Sequence, residues 1–225
     1  MVAHGERGRD GNAGSPHGWP NRAAGRTADG QERADSYDQA VITFPLTVTR
    51  DVLMRPLEEA DSGGLYRACL RNRDHLRPWE PRRGEEFFTE QGQADRVRGQ
   101  LKERDAGRLF PWVLTAGQEV VGAVTLSDVA LGPFRSAHLG YWIDAEWSGR
   151  GLATEAVRTV CQVAEEQLDL HRIEAGTVLA NLASQRVLAK CGFDVIGTAP
   201  QYLHIDGEWR DHVLFQKILH DRSPW

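Results

Sequence analysis

No stretch of the 225-residue chain approaches the ~20 consecutive apolar residues that a membrane-crossing helix needs. The N-terminal segment also lacks an apolar run behind basic residues, so neither a secretory leader nor a membrane partner is expected. Cysteine is scarce. Cys69, Cys161 and Cys191 are odd in number and far apart, which argues against a disulfide framework and suits a reducing, cytoplasmic compartment. There is no cationic surplus: 27 Lys and Arg face 32 Asp and Glu, a formal charge of −5. Non-specific nucleic-acid binding rests on clustered cations, so no nucleic-acid partner is expected. His204 and His212 fall on opposite arms of one hairpin with no third ligand at usable spacing, so no metal site is expected.

Residues 1–40 contain no Leu, Ile or Phe, but they hold seven glycines and eleven charged residues. Such a segment cannot bury enough apolar surface to offset its ordering entropy. We expect a disordered tail over residues 1–40, with a partner-binding arm as the alternative, and one folded domain over residues 41–225. Six acids and five arginines nearly cancel in the tail, leaving −4 for the folded part.

From Val41 onward the pattern is that of an α+β domain. Val48–Pro56 reads as a first strand. Asp61 can cap a helix running to about Arg71. The Arg- and Pro-rich residues 72–86 read as a loop, and Thr89–Arg104 as a second helix. Leu109–Thr115 and Glu119–Ser127 flank Ala116-Gly117-Gln118, the spacing of a hairpin. Ala137–Ile143 is a further strand. Apolar residues at Ala153, Val157, Val160, Cys161, Ala164 and Leu168 then follow one helical face. After it come a strand over His171–Val178 and a short helix over Asn181–Lys190, ended by Gly192. Phe193–Ile205 and Glu208–Leu219 flank Asp206-Gly207, the signal for a tight type I′ turn. This order predicts a mixed, mostly antiparallel sheet with helices on both faces.

One segment carries chemistry. The strand ending Trp142-Ile143 runs through Ser148-Gly149-Arg150-Gly151 directly into the helix that opens Leu152-Ala153-Thr154. The first turn of a helix has N–H groups without intrahelical partners and a partial positive charge. Glycines let the backbone approach a ligand, so the turn suits a phosphate or pyrophosphate. Arg150 adds a positive charge at the rim. Walker A fails because no Gly-Lys-Ser/Thr follows, and the dinucleotide fingerprint fails for want of a third glycine. A second polar helix start follows, with Asn181 and Ser184 three apart and Gly192-Phe193 beyond.

With these two motifs in this order, residues 48–219 resemble the GNAT acyltransferases, which use acetyl-CoA. The resemblance implies the GNAT fold, a pyrophosphate held at the glycine turn, and a splayed strand bonding the pantetheine arm. It implies Trp142, Ile143, Gly149, Arg150, Gly151, Leu152, Ala153, Thr154 and Asn181 as the acetyl-CoA contacts. Within the family the segments Arg73–Pro81, His171–Ala175 and Tyr202–His212 are most similar to the ribosomal-protein alanine N-acetyltransferases. Two positions depart from the pattern. Ser148 stands where Gln or Arg usually opens the turn, and Gln201 stands where some relatives carry a glutamate base.

The implied reaction is attack of an amine on a thioester. A peptide α-amine, with a pKa near 7.7–8.0, is roughly a tenth to a fifth neutral at pH 7, so it asks little of a base. A lysine, near 10.4, asks far more. The resemblance implies Ser184 as proton donor to the thiolate; the alternative is a helix-start serine bonding backbone. Glu174 is the candidate base, and an ion pair to Arg172 or Arg186 is its alternative. Tyr202 is a second candidate donor. Cys191 reads as core packing rather than a nucleophile. The acceptor is expected to be a protein N-terminus. A small cationic amine is the alternative, which an acidic acceptor pocket would favour. A non-catalytic acetyl-CoA-binding module is the third reading. A homodimer is compatible with all three.

Overall fold

A computed structural model describes residues 45–225, so the tail expected over residues 1–40 lies outside the described residues. The chain enters a hairpin of β1 (Leu46–Thr49) and β2 (Val52–Pro56), turning at Arg50-Asp51. The single strand expected over Val48–Pro56 is thus two strands. The polar pair reverses the chain, while Val52 and Met54, at 1% and 0% exposure, keep their place in the core. Helix α1 (Ser62–Arg71) follows, but Asp61 does not cap it with its side chain. Its carboxylate instead receives both Arg55 guanidinium nitrogens, at 2.8 and 2.6 Å, and the Glu58 N–H at 2.8 Å. A charged, bidentate donor outcompetes a single neutral N–H.

Residues 72–86 are more ordered than a loop. They hold α2 (Arg73–Leu76), a 3-10 turn at Arg77–Trp79 and the start of another at Glu85–Phe88. Helix α3 (Glu90–Asp105) begins at Thr89, whose Oγ1 accepts the Gly92 N–H at 3.0 Å. That helix buries little beyond Gln93 and Val97, so its cap counts. Thr89→Ala is expected to cost about 1 kcal/mol, read as a lowered urea midpoint.

Strands β3 (Phe110–Ala116) and β4 (Glu119–Ala130) turn at Gly117, where φ is +59°. Then come β5 (Ser136–Ile143), α4 (Leu152–Glu166), β6 (Arg172–Val178) and α5 (Leu182–Lys190). The closing hairpin is β7 (Asp194–Ile205) and β8 (Glu208–Ile218), turning at Asp206 and Gly207 with φ of +45° and +91°. Positive φ at both turn residues is what type I′ requires.

Among the described residues the eight strands form one sheet, ordered β1-β2-β3-β4-β5-β6-β8-β7. All neighbours are antiparallel except β5 and β6. One face buries α4, whose Val157, Val160 and Ala164 are fully inside with Leu126, Leu139 and Ile173. Each such Val, Leu or Ile contributes about 1.5–3 kcal/mol by leaving water. The other face carries α1 and α3, where Leu65, Ala68 and Val97 pack on Val113, Val120 and Trp142. The expected architecture, a mixed and mostly antiparallel sheet with helices on both faces, is the observed one. No helix among the described residues is long and apolar enough to cross a membrane.

Candidate active site

The parallel pair is short. Its register runs Ser136↔Arg172, Ala137↔Ile173, His138↔Glu174 and stops there. Beyond it β5 stays bonded to β4 as far as Ile143, and β6 stays bonded to β8 as far as Val178. The two strands therefore part in the middle of the sheet. Their facing edges, Leu139–Ile143 and Ala175–Val178, have no strand partner there, and a backbone edge of that kind needs a ligand or water. Trp142 and Ile143 line this gap with backbone only. Their side chains are 8% and 9% exposed and pack on opposite faces of the sheet.

At the wide end of the gap lies the glycine turn. Gly149 and Gly151 have φ of +75° and +82°, a region costly for other residues. A Cβ at either position would meet no protein atom within 4 Å, so within the protein it is conformation and not crowding that favours glycine. Gly151 is the N-cap of α4, and the Glu155 N–H closes the first turn on its carbonyl at 3.1 Å. The amides of Leu152, Ala153 and Thr154 precede that bond and are the helix's open donors. The Leu152 and Thr154 side chains are buried, so these two can contribute only backbone. Arg150 is exposed, with its guanidinium 5.3 Å from the centre of the Trp147 ring. Ser148 donates its hydroxyl to the Asp144 carbonyl at 3.1 Å and serves the turn itself.

Asp144 anchors this turn from below. Only 1% exposed, it accepts from Arg71 Nε at 2.7 Å, Asn72 Nδ2 at 2.8 Å and the Glu146 N–H at 3.0 Å. Burial by itself would raise its pKa, but the hydrogen bonds from Asn72, Glu146 and Arg71, with the Arg71 charge, hold it below the ordinary value. Asn72, fully buried, completes the joint by accepting the Ala145 N–H at 2.9 Å.

The second motif closes the gap from the α4 side. Asn181 caps α5, its Oδ1 accepting the Ser184 N–H at 3.0 Å. The Ser184 hydroxyl lies 2.8 Å from the Tyr141 hydroxyl, and either can donate. Burial pushes the Tyr141 phenol up to about 12, against the opposing pull of its Ser184 bond, so it stays protonated through the neutral range. Sequence reasoning singled out Ser184 and Asn181 but missed Tyr141. Its one signal is strand alternation, which puts Tyr141 with Leu139 on the α4 face.

Glu174 does not join them. Ile173 and Ala175 are buried on the α4 side, so Glu174 points to the other face. There it is ion-paired to Arg172, the expected alternative, and lies 3.2 Å from His138 Nε2, a partner sequence reasoning missed. Asp128, at a left-handed φ of +52° in the β4 bulge, sits 3.7 Å from His138 Nδ1. Gln201 has a φ of +49° in a β7 irregularity, and its N–H donates to Asp211 at 2.8 Å. Tyr202 is not packed into the sheet: it is 45% exposed, with its ring centre 5.2 Å from that of His212. The three cysteines are buried free thiols. Burial raises all three, Cys69 to about 11 and Cys161 to about 12, which leaves no ready thiolate nucleophile at neutral pH.

A cavity of about 600 Å³ opens on the α1–α3 face beside Trp142. Residues from α2, the turns after it and α3 wall it, and the β7–β8 turn closes one side through the Asp206 N–H, which donates to the Glu80 carbonyl at 3.3 Å. Five arginines line it against four carboxylates, so it lacks the acidic surplus that a cationic acceptor would favour.

A sheet parting at its one parallel pair, with a glycine turn and helix start at the opening, defines an acyl-transfer fold. Residues 51–194 match the acetyltransferase (GNAT) domain, and the chain belongs to that family. It is an N-acetyltransferase. It is 35% identical to the ribosomal protein uS5-alanine N-acetyltransferase of Escherichia coli, over 84% of this chain and 97% of that one. Among solved structures it is similar to the ribosomal-protein-S5-alanine acetyltransferase from Vibrio fischeri, with a TM-score of 0.76 and 32% identity, over 79% and 98% of the two chains. It is also similar to Mycobacterium smegmatis RimJ in complex with CoA-disulfide, with a TM-score of 0.72 and 34% identity, over 77% and 85%.

Proposed function

We propose that the chain transfers an acetyl group from acetyl-CoA to the α-amine at the N-terminus of a protein. The observation that carries this is the parted β5–β6 pair, bounded by the Gly149–Gly151 turn at one end and the Ser184–Tyr141 hydroxyl pair on one face. The open amides of Leu152–Thr154, with Arg150, suit a pyrophosphate, and the unpaired edge of β5 suits an amide-bearing arm. Likeness to relatives that act on ribosomal-protein alanine supports the acceptor, as does the absence of an acidic surplus in the neighbouring cavity.

When bound, acetyl-CoA supplies an activated thioester. The amine nitrogen forms the new C–N bond as the C–S bond breaks, one proton leaves the nitrogen and one reaches the sulfur. Ser184 is the donor in this reading, and Tyr141 holds its hydroxyl and can refill its proton. Asn181 keeps its Nδ2 for the pantetheine arm while its Oδ1 caps α5. Glu174 is committed to Arg172 and His138, so the amine's proton goes to solvent water rather than to that carboxylate, which an α-amine tolerates.

Thiol release from acetyl-CoA with a panel of N-terminal peptides and small amines tests the assignment. Peptide turnover is expected. Rapid turnover of a small amine with none of any peptide would overturn it. In the same assay Ser184→Ala is expected to lower kcat about 10–100-fold, at or below the low end for general acid catalysis because a thiolate leaves readily, with KM for acetyl-CoA within about twofold. An unchanged kcat would remove Ser184 from the chemistry.

A further inference from the structure

The charges in the cavity beside Trp142 are unevenly partnered. Arg73 is paired with Glu85, and Arg77 lies 3.5 Å from Asp74 and 3.8 Å from Asp206. Arg96 has no such partner. It donates a long hydrogen bond to Gln93 Oε1 at 3.4 Å, its guanidinium lies 5.7 Å from the centre of the Phe87 ring, and the carboxylate of Glu80 acts on it only from beyond ion-pair distance. Among the described residues no carboxylate comes within ion-pair distance of Arg96 or of Arg82 at the exposed rim. Burial holds the Arg96 pKa below the ordinary value, so the fold bears a desolvation cost there that an incoming anion would offset. A guanidinium offers a planar fork that matches a carboxylate. The rings of Phe87, Phe88 and Trp142 give the same cavity apolar walls.

The position of the cavity fits an acceptor. It lies against Trp142, on the strand that borders the parted gap, and on the face away from α4 and α5. Its volume of about 600 Å³ falls within the range of about 300–1000 Å³ typical of pockets for drug-sized ligands, room for more than one residue. We propose that the cavity receives the first residues of the acceptor chain, and that Arg96, with Arg82 at the rim, selects an acidic side chain among them. This rests on the N-terminal acetyltransferase reading and narrows it to acceptors with Asp or Glu next to the reacting residue.

The test is a set of matched peptides, Ala-Glu against Ala-Gln and Ala-Asp against Ala-Asn, with the remainder identical and free glutamate alongside. The full chain and acetyl-CoA are used, and kcat/KM is read by thiol release. The acidic member of each pair is expected to be favoured about 10–100-fold, mainly through KM, the range of a hydrogen-bonded charge pair. Arg96→Met should bring that ratio to within about threefold of one, while Arg96→Lys, which keeps the charge, should retain part of it. If Arg96→Met does not fold, Arg82→Gln carries the test and should lower the ratio. Peptides acetylated without acid preference would overturn this inference and leave the N-terminal reading standing. Free glutamate preferred over every peptide would overturn it too. No acetylation of any peptide, with small amines turned over, would take down the N-terminal reading itself.

Discussion

Gly151→Glu is expected to weaken acetyl-CoA binding by about 30–1000-fold, measured by calorimetry on the free enzyme. The expected cause is charge placed beside the phosphate, not a clash inside the protein, since a Cβ at this position meets no protein atom within 4 Å. A carboxylate about 4 Å from a phosphate costs about 4 kcal/mol at an effective dielectric of 20, and less at this exposed turn, so about 2–4 kcal/mol is expected. The left-handed φ of +82° adds strain for any side chain, but free and bound enzyme share that cost. Gly151→Ala carries the strain without the charge and separates the two; its affinity should fall less than about tenfold. Salt gives a second separation. Raising ionic strength from 0.15 to 1 M shortens the screening length from about 8 to about 3 Å, so the glutamate defect should shrink while the alanine defect stays. Unchanged affinity in Gly151→Glu would refute the phosphate assignment at this turn.

What was legible in the sequence was what is local. Asp206-Gly207 announces a type I′ turn with positive φ, and Gly117, Gly149 and Gly151 announce turns; the structure has positive φ at each of them. Helix α4 announces itself by period, because one face must meet the core. The division of Val48–Pro56 was not legible, since a strand and a two-residue turn between strands both keep Val52 and Met54 on the buried side. Asp61 reads as a helix cap by spacing, and only the fold brings Arg55 close enough to take its carboxylate. The site divides in the same way. Its turn and its Asn181–Ser184 helix start lie in contiguous motifs. The Tyr141 and His138 contacts join residues far apart in the chain, and no spacing rule reaches them. The cavity of arginines was hidden for another reason. Arg73, Arg77 and Arg82 read as a solvated loop until α3 adds Arg96 and the β7–β8 turn covers one side.

The longest of these connections supports the second large prediction. Asp144 begins the glycine turn, and its carboxylate is held by Arg71 and Asn72, at the far end of α1. Asp144→Ala takes the charged acceptor from the buried Asn72 amide, which keeps the Ala68 carbonyl at 2.9 Å, and from the Arg71 guanidinium, which keeps the Val120 carbonyl at 3.1 Å, and it frees the Glu146 N–H. Removing one member of a buried charged pair costs about 3–5 kcal/mol, and the low end applies because Arg71 is 37% exposed. In a domain of this size about 3 kcal/mol lowers Tm by about 6–12 °C. Asp144→Asn keeps the shape but turns an amide donor toward Arg71 or Asn72, so it should recover less than half of the loss. The pH dependence has a definite sign. The folded-state pKa of Asp144 is lowered, so its contribution is fully present above the unfolded carboxylate value and disappears as pH falls through the folded one. The Tm gap between wild type and Asp144→Ala should therefore be widest near neutrality and close in acid. Because the same carboxylate fixes the start of the Ser148–Gly151 turn, the variant should also give a smaller thermal shift with acetyl-CoA at temperatures where it is folded. A gap that persists unchanged at low pH would mean that Asp144 holds the turn by shape and not by charge.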